Sequence, residues 1–254
     1  MLDIRGVSAG YGNVPVIRDI NLHMRQGEIY CFIGPNGSGK STLLGCIAGQ
    51  IRLLAGNIYL QGEAISGIPA KEYAKKVAYL RQIRDMPVIS VENLVLYGRY
   101  PYLRFPRKLT DHDRELAKSA MIKTGIWELR HKMLNGLSGG ECQKAYIAMA
   151  LAQDTGVLLL DEPAAFLDIC SQLELMALIC QLRNEGKTII MALHDIAEAV
   201  RMADTICLLS RGEIAFAGAP ADLLESRRID DVYGVTVSSA VVGGTRRLFF
   251  DTVR

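Results

Sequence analysis

A glycine-rich segment near the N-terminus constrains the fold of this chain more than any other feature. It fits the pattern G-x-x-x-x-G-K-[ST], follows the apolar run Glu28–Ile33 and precedes apolar residues at helical spacing. Glycines let backbone N–H groups turn toward phosphate oxygens, the lysine supplies a cation, and the next hydroxyl can bind Mg²⁺. A strand, a phosphate-binding loop and a helix are therefore predicted, rather than a glycine-rich surface turn. The loop residues are Gly34, Pro35, Asn36, Gly37, Ser38, Gly39, Lys40, Ser41 and Thr42.

Two further apolar runs have the composition of buried strands. Val157–Leu160 is followed by Asp161 and Glu162, and Thr188–Leu193 is followed by His194. Several such runs separated by helical stretches predict an α/β fold with a mostly parallel sheet. Since open parallel sheets bind ligands at the carboxyl ends of their strands, these three side chains are candidates for Mg²⁺ binding, water activation and γ-phosphate contact.

The stretch 84–150 differs from the strand-rich segments in its pattern of residues and is predicted to be an inserted α-helical lobe. It contains no strand run of comparable strength, and the box Thr110-x-x-Asp113 opens a helix that should stop near Gly125. A later helix should begin after Asp168 and stop at Gly186. We expect one domain over 1–254, with a core at 1–83 and 151–218, the lobe at 84–150 and a C-terminal extension at 219–254.

Composition limits the classes of function. Lys and Arg number 29 and Asp and Glu 27, so the net charge of +2 is far from what general nucleic-acid binding requires. The six cysteines form no C-x-x-C pair and are expected to be reduced. No apolar run approaches ~18 residues and no secretory signal is visible, so a cytosolic protein is expected unless a partner holds it at a membrane.

The sequence Leu137-Ser-Gly-Gly-Glu141 completes a set of motifs whose order and spacing agree with one family. With this segment, the chain resembles the ATP-binding-cassette (ABC) ATPases over nearly its whole length. The resemblance implies a P-loop NTPase (RecA-like) core, an antiparallel β edge near the N-terminus, an inserted helical subdomain, and ATP with Mg²⁺ as ligands.

The same resemblance implies roles for single residues. Tyr11 would stack on adenine, Gln82 would link core to lobe, and Asp168 would be the D-loop aspartate. Ser41, Gln82 and Asp161 would hold Mg²⁺, with Glu162 as catalytic base and His194 as switch histidine. Ser138, Gly139 and Gly140 would bind ATP in trans. Because each motif occurs once, the working unit should be a homodimer with two ATPs in its interface, and a monomer should be a poor ATPase.

Three departures from the family pattern are visible. Glu141 replaces the usual Gln, Cys142 replaces a frequent basic residue, and 164–168 lacks the usual Ser or Thr before Leu-Asp. Ser138-x-x-Glu141 can form a capping box, as Ser-x-x-Gln would. The added negative charge near the γ-phosphate of a partner chain should weaken ATP-driven dimer closure.

Three kinds of cassette protein compete as the function: a membrane-importer ATPase, a DNA-maintenance ATPase, and a soluble ATPase of protein or cofactor assembly. DNA-maintenance relatives insert long coiled-coil arms, whereas here only the 54 residues 83–136 separate Gln82 from Leu137. Sustained heptads are also absent. The DNA-maintenance hypothesis is therefore disfavoured, and no nucleic-acid partner is expected.

The run 97–108 separates the other two hypotheses. Four aromatic residues alternate with three arginines and a lysine, as in a solvated loop or a single-stranded nucleic-acid site. The segment resembles the lobe of importer ATPases that serve ferric siderophores, haem and cobalamin, as does the tail after Gly218. That likeness implies integral membrane permease partners docked on Tyr97, Arg99, Tyr100 and Arg104, an external substrate-binding protein acting indirectly, and a peripheral location on the cytoplasmic face of the inner membrane.

Overall fold

The computed structural model describes residues 1–12, 14–82, 87–105, 108–165, 167–242 and 245–252. The strands are β1 (Leu2–Tyr11), β2 (Val14–Met24), β3 (Ile29–Ile33), β4 (Leu53–Leu60), β5 (Glu63–Ala64), β6 (Val77–Leu80), β7 (Val157–Asp161), β8 (Thr188–Ala192), β9 (Thr205–Ser210), β10 (Glu213–Gly218), β11 (Val235–Val242) and β12 (Thr245–Thr252). The helices are α1 (Lys40–Ile47), α2 (Ala70–Tyr73), α3 (Val91–Tyr97), α4 (Asp111–Lys123), α5 (Gly139–Ala152), α6 (Ile169–Asn184), α7 (Ile196–Met202), α8 (Pro220–Glu225) and α9 (Arg228–Tyr233). The chain divides into two compact units, 1–67 with 188–254, and 68–187.

The first unit contains strands of two sheets. One is antiparallel, in the order β2-β1-β4-β5, and is the predicted antiparallel edge near the N-terminus. In the other, β10, β9, β3 and β8 are neighbours in that order, with β3 parallel to β8 and β9 and antiparallel pairing between β9 and β10. Every residue of β3 and β8 is buried. Their continuous apolar runs are what a parallel strand covered on both faces requires.

The second unit combines a parallel strand pair with a helical cluster. β6 pairs with β7 in parallel register from Val77–Val157 to Leu80–Leu160. Apolar residues of α3, α4 and α5 form a separate buried core that includes Val91, Met121 and Ala148. No strand occurs in the described parts of 84–150, and the first residues of that predicted lobe, 84–86, lie outside the described residues. The predicted lobe falls within this unit, and its boundaries remain a prediction.

Helix ends follow the signals in the sequence. The side chain of Thr110 accepts a hydrogen bond from Asp113 N, and the carboxylate of Asp113 accepts one from Thr110 N, so the predicted capping box forms at the start of α4. Asp168 caps α6, which ends two residues before Gly186, where φ is +89°. Among the described residues, no helix has the length and apolar character needed to cross a membrane.

Candidate nucleotide-binding site

The loop after β3 uses backbone conformations that only glycine adopts without strain. The φ angles are +149° at Gly34, +77° at Gly37 and +104° at Gly39. A Cβ atom on Gly34 would lie 2.2 Å from the carbonyl oxygen of Leu209, and one on Gly39 would lie 2.4 Å from the Ile17 side chain. The predicted loop therefore depends on glycine at these positions, and loops of this kind present backbone N–H groups to anions.

Lys40 begins α1 and folds back over the loop. Its Nζ donates hydrogen bonds to the carbonyl oxygens of Gly34, at 2.7 Å, and Pro35, at 3.2 Å, and the residue is buried. Within the part of the chain that the structure describes, no side chain caps the N-terminus of α1. A buried cation beside an uncapped helix N-terminus is an electrostatic environment that favours phosphate.

The hydroxyl of Ser38 tests directly whether the loop fits a phosphate. Ser38 is only 4% exposed, and its Oγ has no hydrogen-bond partner among the described residues. Burying a hydroxyl without a partner costs free energy, which would be recovered if a phosphate oxygen accepted a hydrogen bond from it. The Oγ lies 2.7 Å from where a Gly34 Cβ would stand, so it lines the cradle that glycine leaves open. The residues present fit the phosphates of a nucleotide.

The first unit also holds two exposed candidates at strand ends. Phe32 of β3 pairs with Ala192 of β8, and Gly34 and His194 each follow two residues later. Because the strands are parallel, the phosphate loop and His194 lie at the same edge of the sheet. Tyr11 ends β1 and is 66% exposed, which leaves its ring accessible for stacking.

In the second unit, the structure brings Gln82 and Glu162 together. Gln82 follows β6 and Glu162 follows β7, and the Gln82 amide donates a 3.0 Å hydrogen bond to Glu162 Oε2. Glu162 has φ +51°, an uncommon conformation for a non-glycine residue that is often found at functional sites. Asp161 is the buried last residue of β7. Among the described residues, no group of three His, Cys, Asp or Glu is arranged to hold a metal ion.

The predicted capping box at the start of α5 is present. Ser138 N donates to Glu141 Oε2 at 2.8 Å, the Ser138 hydroxyl donates to the same oxygen at 3.0 Å, and Glu141 N donates back to Ser138 Oγ. The Ser138 bonds, with smaller contributions from Lys132 and Lys144, lower the pKa of Glu141. The carboxylate therefore stays charged at neutral pH, while Ser138 itself is exposed.

Two further motif residues lie close together in the second unit. Asp168 accepts hydrogen bonds from Ser171 N, at 3.0 Å, and Ser171 Oγ, at 2.7 Å. A Cβ on Gly140 would lie 3.0 Å from Ser171 Oγ, so the absence of a side chain at Gly140 allows close packing against the start of α6. Cys142 is buried, which accounts for an apolar thiol at this position. Phe166, in the segment without Ser or Thr, lies outside the described residues.

A cavity of about 250 Å³ lies in the second unit between the end of α4, α5 and α6. Its lining includes Ile122, Lys144, Leu167 and Leu175. Of the predicted site residues, only Gly140 lines it, and Gln82 and Glu162 do not. The cavity is therefore separate from the Gln82–Glu162 pair.

The structure corrects the expected docking surface at one position. Tyr97 and Tyr100 are about half exposed and Arg104 is exposed, as a surface for a partner requires. Arg99 is only 3% exposed, and its Nε donates a 2.9 Å hydrogen bond to Asp113 Oδ1. The prediction that Arg99 touches a partner is therefore wrong, because the guanidinium is satisfied inside the lobe.

Sequence reasoning also missed the side chains that hold Arg99. The box with Thr110 was the visible signal for Asp113, and it predicted a helix cap rather than an ion pair. Tyr102 and Gln153 had no local signal. Their contacts depend on how α4 and α5 pack, which no short motif specifies.

Comparison with known proteins identifies the family. The family model described as "ABC transporter" matches residues 17–165. The chain is 38% identical to the petrobactin import ATP-binding protein FpuC of Bacillus anthracis, over 100% of this chain and 93% of the relative. It is 37% identical to the ferric enterobactin transport ATP-binding protein FepC of Escherichia coli, over 90% of this chain and 85% of that protein.

Solved structures agree with the fold. A metal-chelate type ABC transporter in an inward-facing conformation matches with a TM-score of 0.86 and 24% identity, over 100% of this chain and 97% of the other. The ATP-binding cassette MJ0796, a dimer bound to ADP and Pi, matches with a TM-score of 0.76 and 26% identity, over 87% and 99% of the two chains. The predicted fold class is confirmed, and the chain belongs to the ABC transporter family as one of its ATP-hydrolysing proteins.

Proposed function

We propose that this chain hydrolyses ATP to drive a membrane importer of an iron–siderophore or a related metal chelate, a class that includes haem and cobalamin-type compounds. One observation carries the proposal. Relatives aligned over at least 90% of the chain are named for import or transport of petrobactin, iron(3+)-hydroxamate and ferric enterobactin. Selectivity for the chelate then resides in the permease and in an external binding protein.

The residues of the phosphate loop would bind ATP. Ser38 and Lys40 would turn their buried polar groups to the phosphates, and Tyr11 would stack on adenine. Lys40 is suited to this because its Nζ contacts neutral carbonyl oxygens of its own loop, which it can exchange for phosphate oxygens. Mg²⁺ held by Ser41, Gln82 and Asp161 would neutralise phosphate charge.

Glu162 would activate the attacking water. The Gln82 amide donates a hydrogen bond to Oε2 of its carboxylate and would hold that group in place while it accepts a proton from water. His194, exposed after β8, would contact the γ-phosphate. Gln82 also begins the connection to the lobe, so its hydrogen bond to Glu162 would link the catalytic base to the start of that connection.

A second copy of the chain would complete each nucleotide site. Ser138 and Gly139 are exposed at the N-terminus of α5, where a partner's γ-phosphate would meet a helix terminus. Ser138, Gly139 and Gly140 would act in trans, and Asp168 would lie at the same interface. The dimeric state of the cassette MJ0796 supports this assembly.

Permease subunits would dock on the surface of Tyr97, Tyr100 and Arg104, which we call the docking patch. Phe105, fully exposed beside it, adds apolar area of the kind that interfaces bury. The chain would then lie peripherally on the cytoplasmic face of the inner membrane. A soluble ATPase of cofactor or protein assembly is the alternative.

Cross-linking in native membranes distinguishes the importer from the assembly ATPase. Only Cys170 and Cys180 are exposed, so replacing these two with serine gives a background without accessible native thiols among the described residues. A cysteine at Tyr100 or Arg104 should cross-link to an integral membrane protein, and a cysteine at exposed Arg114 on α4 is the control. Arg104→Glu should release the chain from membranes with ATP binding intact. A wild-type chain found wholly off the membrane would favour the assembly ATPase.

A further inference from the structure

The guanidinium of Arg99 is buried in the second unit, is held by three partners there, and has no place in the proposed nucleotide chemistry. Its Nε donates to Asp113 Oδ1 at 2.9 Å, its NH1 donates to the Ala152 carbonyl oxygen at 2.8 Å, and it lies 3.9 Å from the centre of the Tyr102 ring. Asp113 is fixed in turn by the Thr110 capping box. The planar cation thus donates two hydrogen bonds in different directions and also contacts an aromatic ring.

These contacts fasten the turn at 98–102 to the end of α5. Tyr102 donates its hydroxyl to the Gln153 carbonyl oxygen at 3.0 Å, next to the carbonyl that Arg99 binds. A Cβ on Gly98 would lie 2.2 Å from the Met149 carbonyl oxygen, so the backbones are in close contact. The last carbonyls of a helix lack intrahelical partners, and a cation there also suits the helix dipole. Arg99 and Tyr102 together cap α5.

The other end of α5 is the proposed trans site. The helix runs from Gly139 to Ala152, 14 residues or ~21 Å of rigid backbone, and Ser138 caps its start. At its end, the Gln153 amide donates to the carbonyl oxygen of Val77, the first residue of β6, at 3.1 Å, and also to that of Ala74, which follows α2. That strand leads to Gln82. One polar junction therefore joins the turn beside the docking patch to the C-terminal end of α5 and to the strand that precedes Gln82, and α5 connects this junction to Ser138.

We propose that Arg99 is a positioning residue that makes the docking patch and the Ser138–Glu141 turn move as one body, so that a docked permease sets where the trans serine stands. This inference rests on the proposed importer function. A buried ion pair contributes little net stability compared with an apolar pair of similar volume. Its value here is directional, because Arg99 contacts Asp113 and Ala152 from fixed angles that an apolar side chain would not impose.

The first test measures the ATPase activity of the full chain bound in its native membranes. Arg99→Met should lower the membrane-bound kcat by about tenfold with the KM for ATP unchanged. Arg99→Lys, which keeps the cation and loses the fork, should restore part of it. Arg114→Met, an exposed arginine next to Asp113 on α4, is the matched control. An Arg99→Met chain that folds and keeps the wild-type membrane-bound kcat would overturn the proposal.

The second test needs no membrane, and so separates this inference from the proposed function. Amide hydrogen exchange on the purified full chain should speed up in Arg99→Met at 98–102 and also at the far end of α5, residues 139–142. Tyr102→Phe, which removes one hydroxyl, should show the same pattern more weakly and is a second variant if Arg99→Met does not fold. Faster exchange confined to 98–102 would show that α5 does not transmit the change, and would overturn the inference even if the importer function holds.

Discussion

Lys40 and Arg99 are both buried cations but differ in their partners, and we propose that Lys40 serves nucleotide binding and Arg99 the coupling of the docking patch to the trans site. Lys40 binds carbonyl oxygens five and six residues away in its own loop. Arg99 binds a carboxylate 14 residues away and a carbonyl 53 residues away. A lysine readily exchanges neutral carbonyl oxygens for a more strongly charged ligand, whereas an arginine paired with a buried carboxylate does not leave it easily. Under the proposed function, Lys40 would exchange these carbonyls for phosphate oxygens, whereas Arg99 would keep its partners.

The largest expected effect lies on the chemical side of this comparison. Glu162→Gln should lower ATP turnover by about 10²–10⁴-fold while ATP still binds, because the amide cannot accept the proton of the attacking water. Steady-state ATPase assays and equilibrium nucleotide binding measure the two quantities. ATP should then accumulate in a closed dimer. A variant with near-normal turnover would show that another group is the base.

Removing the Lys40 ammonium group should weaken the binding of ATP. Lys40→Ala should weaken ATP affinity about 10- to 100-fold, since it deletes a charge-assisted contact to phosphate. Fluorescent-nucleotide titration measures it. The free energy of unfolding of the nucleotide-free chain should fall much less than in Arg99→Met. Full ATP affinity in Lys40→Ala would contradict the role assigned to the phosphate loop.

Removing Arg99 should lower stability rather than nucleotide affinity. Arg99→Met should lower the free energy of unfolding by ~3–5 kcal/mol, because Asp113 is left buried without its partner. The double variant Arg99→Met/Asp113→Leu should recover most of that loss, and Arg114→Met should change it by less than ~0.5 kcal/mol. Urea unfolding measures all three. If the single and double variants are equally unstable, the pair is not the source of the effect.

Asp113 also predicts a pH dependence. Burial raises the pKa of this carboxyl, but hydrogen bonds from Thr110 and Arg99 outweigh it and leave the pKa lowered. A group whose pKa is lower when folded adds stability above its unfolded pKa and loses it as pH falls through the folded value. The wild-type chain should therefore lose stability below pH ~4 more steeply than Asp113→Asn. Equal slopes would remove Asp113 from the acid transition.

The smallest effect concerns Glu141. Glu141→Gln keeps an acceptor for the capping box, so the free energy of unfolding at pH 7 should change by less than ~0.5 kcal/mol. Removing a negative charge near a partner's γ-phosphate should strengthen the ATP-dependent dimer. Light scattering of both proteins with ATP makes the comparison. A weaker dimer in Glu141→Gln would mean that the carboxylate makes a favourable contact across the interface.

The two cations also show what a sequence predicts. The phosphate loop, the strands before Asp161 and His194, and the caps at Thr110, Ser138 and Asp168 were predictable because each depends on residues a few positions apart. The family resemblance placed Gln82 and Glu162 in the same site, but it did not predict the hydrogen bond between them. The pairing of Arg99 with Asp113 was not predictable, because an arginine in an aromatic run reads as surface until helix packing encloses it. Long-range packing decided its role.

Uptake by cells tests the central claim most directly. Cells that lack the chain should be given labelled ferric siderophore and supplied with the wild-type chain, Glu162→Gln or Arg114→Met at equal expression. We predict that uptake returns with the wild-type chain and with Arg114→Met, and stays at the background level with Glu162→Gln. Uptake that is equal in cells with no chain, with the wild-type chain and with Glu162→Gln would contradict the account, because ATP hydrolysis by this protein would then not drive import of that chelate.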